Sequence, residues 1–271
     1  MTSKLISACR KGKLYKIEHL VNKGLSLDDK FLRYNDNHPL QVACMNGHLD
    51  IVKYLIEQGL NISDIRDDDN MALRGACHHG HLDIVKYLIE QGLNLNDIRS
   101  DDNFALRKAC FNGHLDIAKY LMSQGLSLDD IRDDDNYALR YACEYGHLDI
   151  VKYLVSLGLS LNDIRTYTNG ALRYACENGH LDIVKYLMSL GLSLDDIRSR
   201  DNMAFLIACE NGHLDIVKYL MSLGLSLDDI HSGRNLALLT ATQSGHFDVV
   251  KYLIEQGLTS DDIRSRENGA L

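Results

Sequence analysis

The sequence predicts an all-α solenoid: eight helix pairs stacked side by side, with connecting fingers along one edge. Three observations carry this. First, a Gly-His pair recurs at Gly47-His48, Gly80-His81, Gly113-His114, Gly146-His147, Gly179-His180, Gly212-His213 and Gly245-His246, each step being 33 residues. Second, each copy holds two short stretches of helical periodicity, each closed by a Gly. Third, neither stretch reaches the roughly 12–15 residues an isolated helix needs, so each must be covered by its neighbours.

The elements of one copy follow from Asn70 to Asp102. Asn70 reads as an N-cap, Met71 to Cys77 as a first helix and Gly80 as its left-handed stop. Leu82, Val85, Leu88 and Ile89 make the apolar stripe of a second helix, with Asp83 in its dipole-favoured first turn and Gly92 at its end. Leu93 to Asp102 is polar and turn-rich, with Ile98 as apolar anchor. The whole chain, 1–271, reads as one repeat domain. A first repeat, 1–36, is built on Gly12-Lys13 and serves as N-terminal cap. Repeats follow at 37–69, 70–102, 103–135, 136–168, 169–201, 202–234 and 235–267, and an incomplete tail at 268–271.

The two ends differ. In the first copy Lys16 stands where others have Ile51 or Ile84, and His19 where others have Tyr54, the polar outer face a terminal repeat needs. In the eighth copy Phe247, Val249, Val250, Leu253 and Ile254 keep the internal apolar pattern. The tail 257–271 is expected to act as a partial lid there, with weak end-to-end dimerisation as the consequence.

Composition narrows the function classes. Lys and Arg number 29 against 38 Asp and Glu, a net charge of −9, which argues against duplex nucleic acid as the partner. No apolar stretch approaches the roughly 18 residues of a membrane span. Seven Cys form one column, Cys9, Cys44, Cys77, Cys110, Cys143, Cys176 and Cys209. Copies about 8–10 Å apart hold such thiols beyond disulfide reach, so they read as small buried residues in a reducing compartment, the cytoplasm. Thr242 in the eighth copy shows that sulfur is not required. The Gly-His imidazoles are likewise too far apart to share a metal, and no base or nucleophile shares their period, so neither enzyme activity nor cofactor is expected. Tyr54 to Tyr252 and Lys53 to Lys251 read as the solvated back of the second helix, with Asp50 and Lys53 spaced for an ion pair.

The run Asn37-His38-Pro39-Leu40-Gln41-Val42-Ala43-Cys44-Met45-Asn46-Gly47-His48-Leu49-Asp50-Ile51-Val52-Lys53-Tyr54-Leu55 resembles the ankyrin repeat, and the likeness recurs in every copy. The wording Asn-Gly-His-Leu-Asp-Ile-Val-Lys-Tyr-Leu followed by Asp-Ile-Arg is similar to that of ankyrin proteins of giant DNA viruses of amoebae. The resemblance implies an ankyrin-repeat solenoid, with the Gly-His imidazole bracing the loop by a hydrogen bond. Three departures stand out: Ala for the family's Pro at Ala72 and its equivalents, Arg for its His at Arg74, Arg107, Arg140 and Arg173, and no finger-tip Gly. Asp69, Asp102 and Asp135 tolerate the left-handed region better than Thr168 or Arg234, which puts the tight hairpin finger in doubt.

In the family, finger tips and the exposed face of the first helix form a concave groove. The residues expected to bind a partner there are Phe104, Phe111, Tyr137, Tyr145 and Tyr167, aromatic anchors in neighbouring copies, with Glu144, Glu177, Asp101 and Asp134 around them. The implied function is a non-enzymatic scaffold binding a protein partner, a host protein in the host cytoplasm if the viral likeness holds. The alternative is a structural or self-assembling component, such as part of a virion.

Overall fold

The computed structural model describes residues 2–25 and 39–257, and among them there is no strand. Contacts divide the chain into two compact units, Met1–Asp134 and Asp135–Leu271. The first contains α1 (Thr2–Arg10), α2 (Leu14–Asn22), α3 (Pro39–Met45), α4 (Leu49–Glu57), α5 (Ile62–Ile65), α6 (Asp67–His79), α7 (Leu82–Glu90), α8 (Leu95–Ile98), α9 (Ser100–Phe111) and α10 (Leu115–Ser123). The run α11 (Leu128–Glu144) carries the chain into the second unit. There follow α12 (Leu148–Ser156), α13 (Leu161–Ile164), α14 (Thr166–Glu177), α15 (Leu181–Ser189), α16 (Leu194–Glu210), α17 (Leu214–Ser222), α18 (Leu227–Gln243) and α19 (Phe247–Glu255).

Both units are built by the same rule. In the first, α6 packs between α3 and α9; in the second, α16 packs between α14 and α18. Leu73, Ala76 and Cys77 from a first helix and Ile84, Val85 and Leu88 from a second are wholly buried. Burying each large aliphatic side chain is worth about 1.5–3 kcal/mol, which offsets the shortness of the helices. The Cys column lies in this core without disulfides among the described residues. Burial pushes the Cys110 thiol up to about 12, so these sulfurs stay protonated and inert.

The Gly-His pair has a two-copy explanation. Gly80 ends α6 at φ 82°, and a Cβ there would lie 2.5 Å from the His114 ring of the next copy. That ring donates from Nε2 to the His78 carbonyl at 3.1 Å. The same bond joins His48 to the Arg10 carbonyl, His81 to Met45, His180 to Glu144 and His213 to Glu177. Gly therefore makes room for the neighbour's imidazole, which in turn satisfies a helix-end carbonyl.

The fingers depart from the sequence expectation in two ways. First, the fingers at 61–66, 94–99 and 160–165 each hold a one-turn helix opened by a capping box. Asp97 accepts from the Asn94 N–H at 2.7 Å, and Asn94 Oδ1 accepts from the Asn96 N–H at 2.8 Å. The same Asp97 receives Arg66 of the preceding finger through Nε at 2.8 Å and Nη2 at 2.9 Å. Arg99 holds Asp130, Arg165 holds Asp196 and Arg198 holds Asp229 in the same bidentate way. This decodes Asp-Ile-Arg: the Asp caps its own finger and receives the guanidinium behind it, while the Arg reaches the next Asp.

Second, three successive residues are left-handed before the first helices of five copies: Asp68-Asp69-Asn70, Asp101-Asp102-Asn103, Asp134-Asp135-Asn136, Tyr167-Thr168-Asn169 and Arg200-Asp201-Asn202. Asn70 is therefore not an N-cap; it is buried at φ 61°. In the second unit the equivalent Asn136 donates across to the Asp163 carbonyl and the Thr166 hydroxyl, each at 3.0 Å. Arg side chains support the turn by bonding its carbonyls. Arg107 Nη2 reaches Asp101 O at 2.9 Å, and Arg173 reaches Thr168 O and Tyr167 O at 3.0 and 2.9 Å. At Arg200–Asn202 the turn forms with Leu206 in that column, so the guanidinium supports the turn without being required for it.

The back of the second helices also differs from expectation. Lys53 lies 5.5 Å from the Tyr87 ring centre and Lys86 5.6 Å from that of Tyr120; in the second unit Lys152, Lys185 and Lys218 repeat this over Tyr186, Tyr219 and Tyr252. The Lys of one copy covers the Tyr of the next. Among the described residues no Asp50–Lys53 ion pair forms; the matching Asp83 turns back to its own helix start and accepts from the Ile84 N–H.

Candidate functional site

Each unit holds part of the expected binding set. In the first, Phe104 is half-buried beneath the Arg74 guanidinium, 4.2 Å from its ring centre, with the Lys108 ammonium at 5.2 Å. Phe111 lies under the same ammonium at 4.7 Å. Asp101 is exposed but pairs with Arg74 at 2.9 Å, and Asp134 approaches Arg107 at 3.5 Å. These four residues are therefore engaged by basic side chains of their own unit. Among the described residues no group of three or more His, Cys, Asp or Glu could hold a metal ion.

In the second unit the five expected residues meet in one tyrosine-rich face. Tyr137 and Tyr141 stack with ring centres 3.8 Å apart, and Tyr141 continues to Tyr145 at 6.2 Å and Tyr174 at 6.3 Å. The spacing 137, 141, 145 puts three rings on one helical stripe. The Arg140 guanidinium is wedged between copies, 4.3 Å from the Tyr167 ring centre and 5.8 Å from that of Tyr137. Arg173 lies 5.6 Å from Tyr167 on its own copy. Arg140 is buried, and its Nε donates to Asp135 O at 2.8 Å, so the cation that orders the rings is itself fixed. Tyr145 remains 45 % exposed and Tyr167 49 %.

Glu144 and Glu177 border the rings. Burial, and then the charge of Glu177, push the Glu144 carboxyl up, against the lowering effects of the Tyr145 hydrogen bond and Arg140. Burial first, then the Glu144 charge, push the Tyr145 hydroxyl up. The face thus offers stacked rings with an acidic border. Sequence reasoning missed Tyr141 and Tyr174, which hold the cluster together, and the two Arg that order it. The available signal was the four-residue spacing of Tyr137, Tyr141 and Tyr145.

At the end of the second unit Phe247 is 75 % and Ile254 48 % exposed, as the apolar pattern of the eighth copy implied. The proposed lid falls almost wholly at 258–271, outside the described residues. Among the described residues no helix is long and apolar enough to cross a membrane.

Comparison with known proteins places this architecture. The family model for ankyrin repeats in three copies matches residues 5–99, 60–133, 76–165, 106–201 and 172–264. A putative ankyrin repeat protein, L112, of Acanthamoeba polyphaga mimivirus is 38 % identical over 55 residues, which span 20 % of this chain and 11 % of that protein. The crystal structure of the human ASB11 ankyrin repeat domain matches 73 % of this chain and 90 % of its own, with a TM-score of 0.57 and 23 % identity, a likeness of fold alone. With family-model matches running along most of its length, the chain belongs to the ankyrin-repeat family.

Proposed function

We propose that this chain is a non-enzymatic scaffold whose tyrosine-rich face, Tyr137, Tyr145 and Tyr167 with Glu144 and Glu177, grips a protein partner. Ankyrin repeats are protein–protein interaction modules and typically lack catalytic machinery. The observation that carries the reading is the exposure of Tyr145 and Tyr167 in rings already ordered by stacking and by Arg140 and Arg173. Pre-ordered aromatics lose little rotamer freedom on binding, which is why Tyr and Arg recur at interface hot spots. The acidic border favours a basic segment of the partner. Similarity to a mimivirus protein supports a viral origin and, with it, a host protein as partner and the host cytoplasm as location. In the first unit Phe104, Phe111, Asp101 and Asp134 supply a lesser surface, because basic side chains of that unit already cover the rings and pair the carboxylates.

Affinity capture with the wild-type chain, compared with a Tyr145→Ala, Tyr167→Ala double variant, tests the assignment. A protein retained by the first and lost by the second supports it. The same proteins retained equally by both place binding elsewhere. The exposed Phe247 and Ile254 favour a second reading, self-assembly through the last helix pair. Sedimentation that shows dimers of the wild type and monomers of Phe247→Glu would support that reading.

A further inference from the structure

The first repeat carries a concentration of charge opposite to the rest of the molecule. Residues 1–23 hold six Lys and Arg against one Glu, a net +5, so the remaining residues carry −14. Most of this charge lines one hollow of about 980 Å³ on the outer face of α1 and α2. Lys4 and Lys11 of α1 and its following turn meet Lys13, Lys16, His19 and Lys23 of α2 and its flanks around that hollow, with Ser3 and Ser7 between them. Among the described residues no acidic side chain lines it. Glu18, the one carboxylate of residues 1–23, is not among the residues that line it.

A polar outer face is what a terminal repeat needs, but solubility does not require a single sign of charge. Lys4 and Lys16 occupy columns that inner copies fill with the buried Ala72 and Ile84. Acidic or neutral polar residues would cap the stack equally well. Instead five ammonium groups converge on a concavity, where their fields add. Its wall also has an apolar part: Ala8, Leu20 and the ring of Tyr15, which is 64 % exposed with the Lys16 ammonium 5.9 Å from its centre.

We propose that this end face binds an acidic peptide segment of a partner protein, a short run of Asp and Glu with an interspersed apolar residue. The carboxylates meet the lysine ring, and the apolar side chain rests on Tyr15 and Leu20. A nucleic acid fits less well. Among the described residues the hollow offers one exposed aromatic rather than a stacking platform, and no guanidinium for bidentate phosphate contacts. A long polyanion would also extend past the hollow toward a molecule whose remaining charge is −14. A short acidic peptide ends within about one Debye length, 8–10 Å, of the lysines. This surface shares no residue with the tyrosine-rich face, and the proposal does not depend on it.

The test is fluorescence anisotropy with a fluorescein-labelled peptide, Glu-Glu-Leu-Glu-Glu-Phe-Glu-Glu, added to the full chain. Saturable binding is expected that weakens as ionic strength rises. Lys11→Glu with Lys16→Glu should weaken it at least about tenfold, roughly 1.4 kcal/mol, and so should Lys13→Glu with Lys23→Glu, which keeps the test alive if the first pair unfolds. Lys251→Glu, in the last described helix, should leave it unchanged. Absence of saturable binding, or equal binding by folded charge-reversed variants, overturns the proposal. Tighter binding of a single-stranded oligonucleotide of equal charge overturns the assignment to a peptide. A salt-sensitive dimer of the chain alone, dissolved by Lys11→Glu with Lys16→Glu, assigns the hollow to a second copy and also overturns it.

Discussion

Thr168 shows how one side chain can work against its backbone. It sits at φ 55°, ψ 59°, a region where a β-branched residue is strained by about 1–2 kcal/mol. Thr168→Gly should therefore raise stability by about 1 kcal/mol, read as a higher denaturant midpoint with unchanged slope. A midpoint that falls would show that the Thr side chain contributes more than its strain costs. The tyrosine face makes the complementary prediction. Tyr145 and Tyr167 are about half exposed, so replacing both by Ala should shift stability by less than about 0.5 kcal/mol. Partner affinity should fall by about 2 kcal/mol or more, the usual scale for interface anchors. Calorimetric titration with a captured partner and thermal melts of both proteins separate the two effects. Phe111, with the Lys108 ammonium 4.7 Å from its ring centre, should contribute less to binding than Tyr145 or Tyr167.

At the scale of elements, the finger carries the information that periodicity alone misses. Asp130 accepts from Arg99 at 2.7 and 2.9 Å and from the Ser127 N–H at 2.7 Å. The Arg99 hydrogen bonds lead, against burial, in holding its carboxyl at about 2 rather than 3.8. Its folded value lies below its unfolded one, so its contribution is complete above about pH 4 and is lost as pH falls from there through about 2. Asp196 and Asp229 are shifted the same way by Arg165 and Arg198. Urea denaturation between pH 7 and 2 should show stability falling over that window, and less steeply in Asp130→Asn. At neutral pH Asp130→Ala should lose at least about 1 kcal/mol, the scale of a helix cap alone. Helices and core columns were legible in the sequence because 3.6-residue periodicity and Gly stops are local signals. The fingers were not. Asp-Ile-Arg gives no local sign of the Arg66-to-Asp97 bond, which joins residues 31 apart. Likewise the tyrosine stripe at 137, 141 and 145 was readable from spacing, whereas the buried Arg140 between copies depended on tertiary placement. In the sequence the loss of the finger-tip Gly and the exchange of His for Arg stand as two departures. They are coupled, because Arg107 and Arg173 bond the carbonyls of the glycine-free turn.

At the scale of the molecule, the thiols and the last helix pair report on how completely copies cover one another. Cys44, Cys77, Cys110, Cys143 and Cys176 are wholly buried, so a thiol reagent should label almost none of them without denaturant. Rapid labelling of most would contradict the core described above. Phe247 and Ile254 remain exposed on α19, and hydrogen exchange should find it less protected than α15 or α17 of the same unit. Equal protection in a monomeric sample would mean that something covers that face. The imidazoles set over Gly80, Gly146, Gly179 and Gly212 and the Arg–Asp bonds between successive fingers have a further consequence, for how such a chain can change its length. Each bond runs from one copy to the matching place in its neighbour, so the copies are interchangeable parts with identical fittings. Removing residues 169–201 would leave Arg165 facing Asp229 and His213 facing Gly146, the same junction with different names. Removing three residues fewer would misalign both fittings at once. Recombination between neighbouring copies, which cuts and rejoins in whole 33-residue steps, would thus yield folded chains of new length in one event, each presenting a different run of surface side chains.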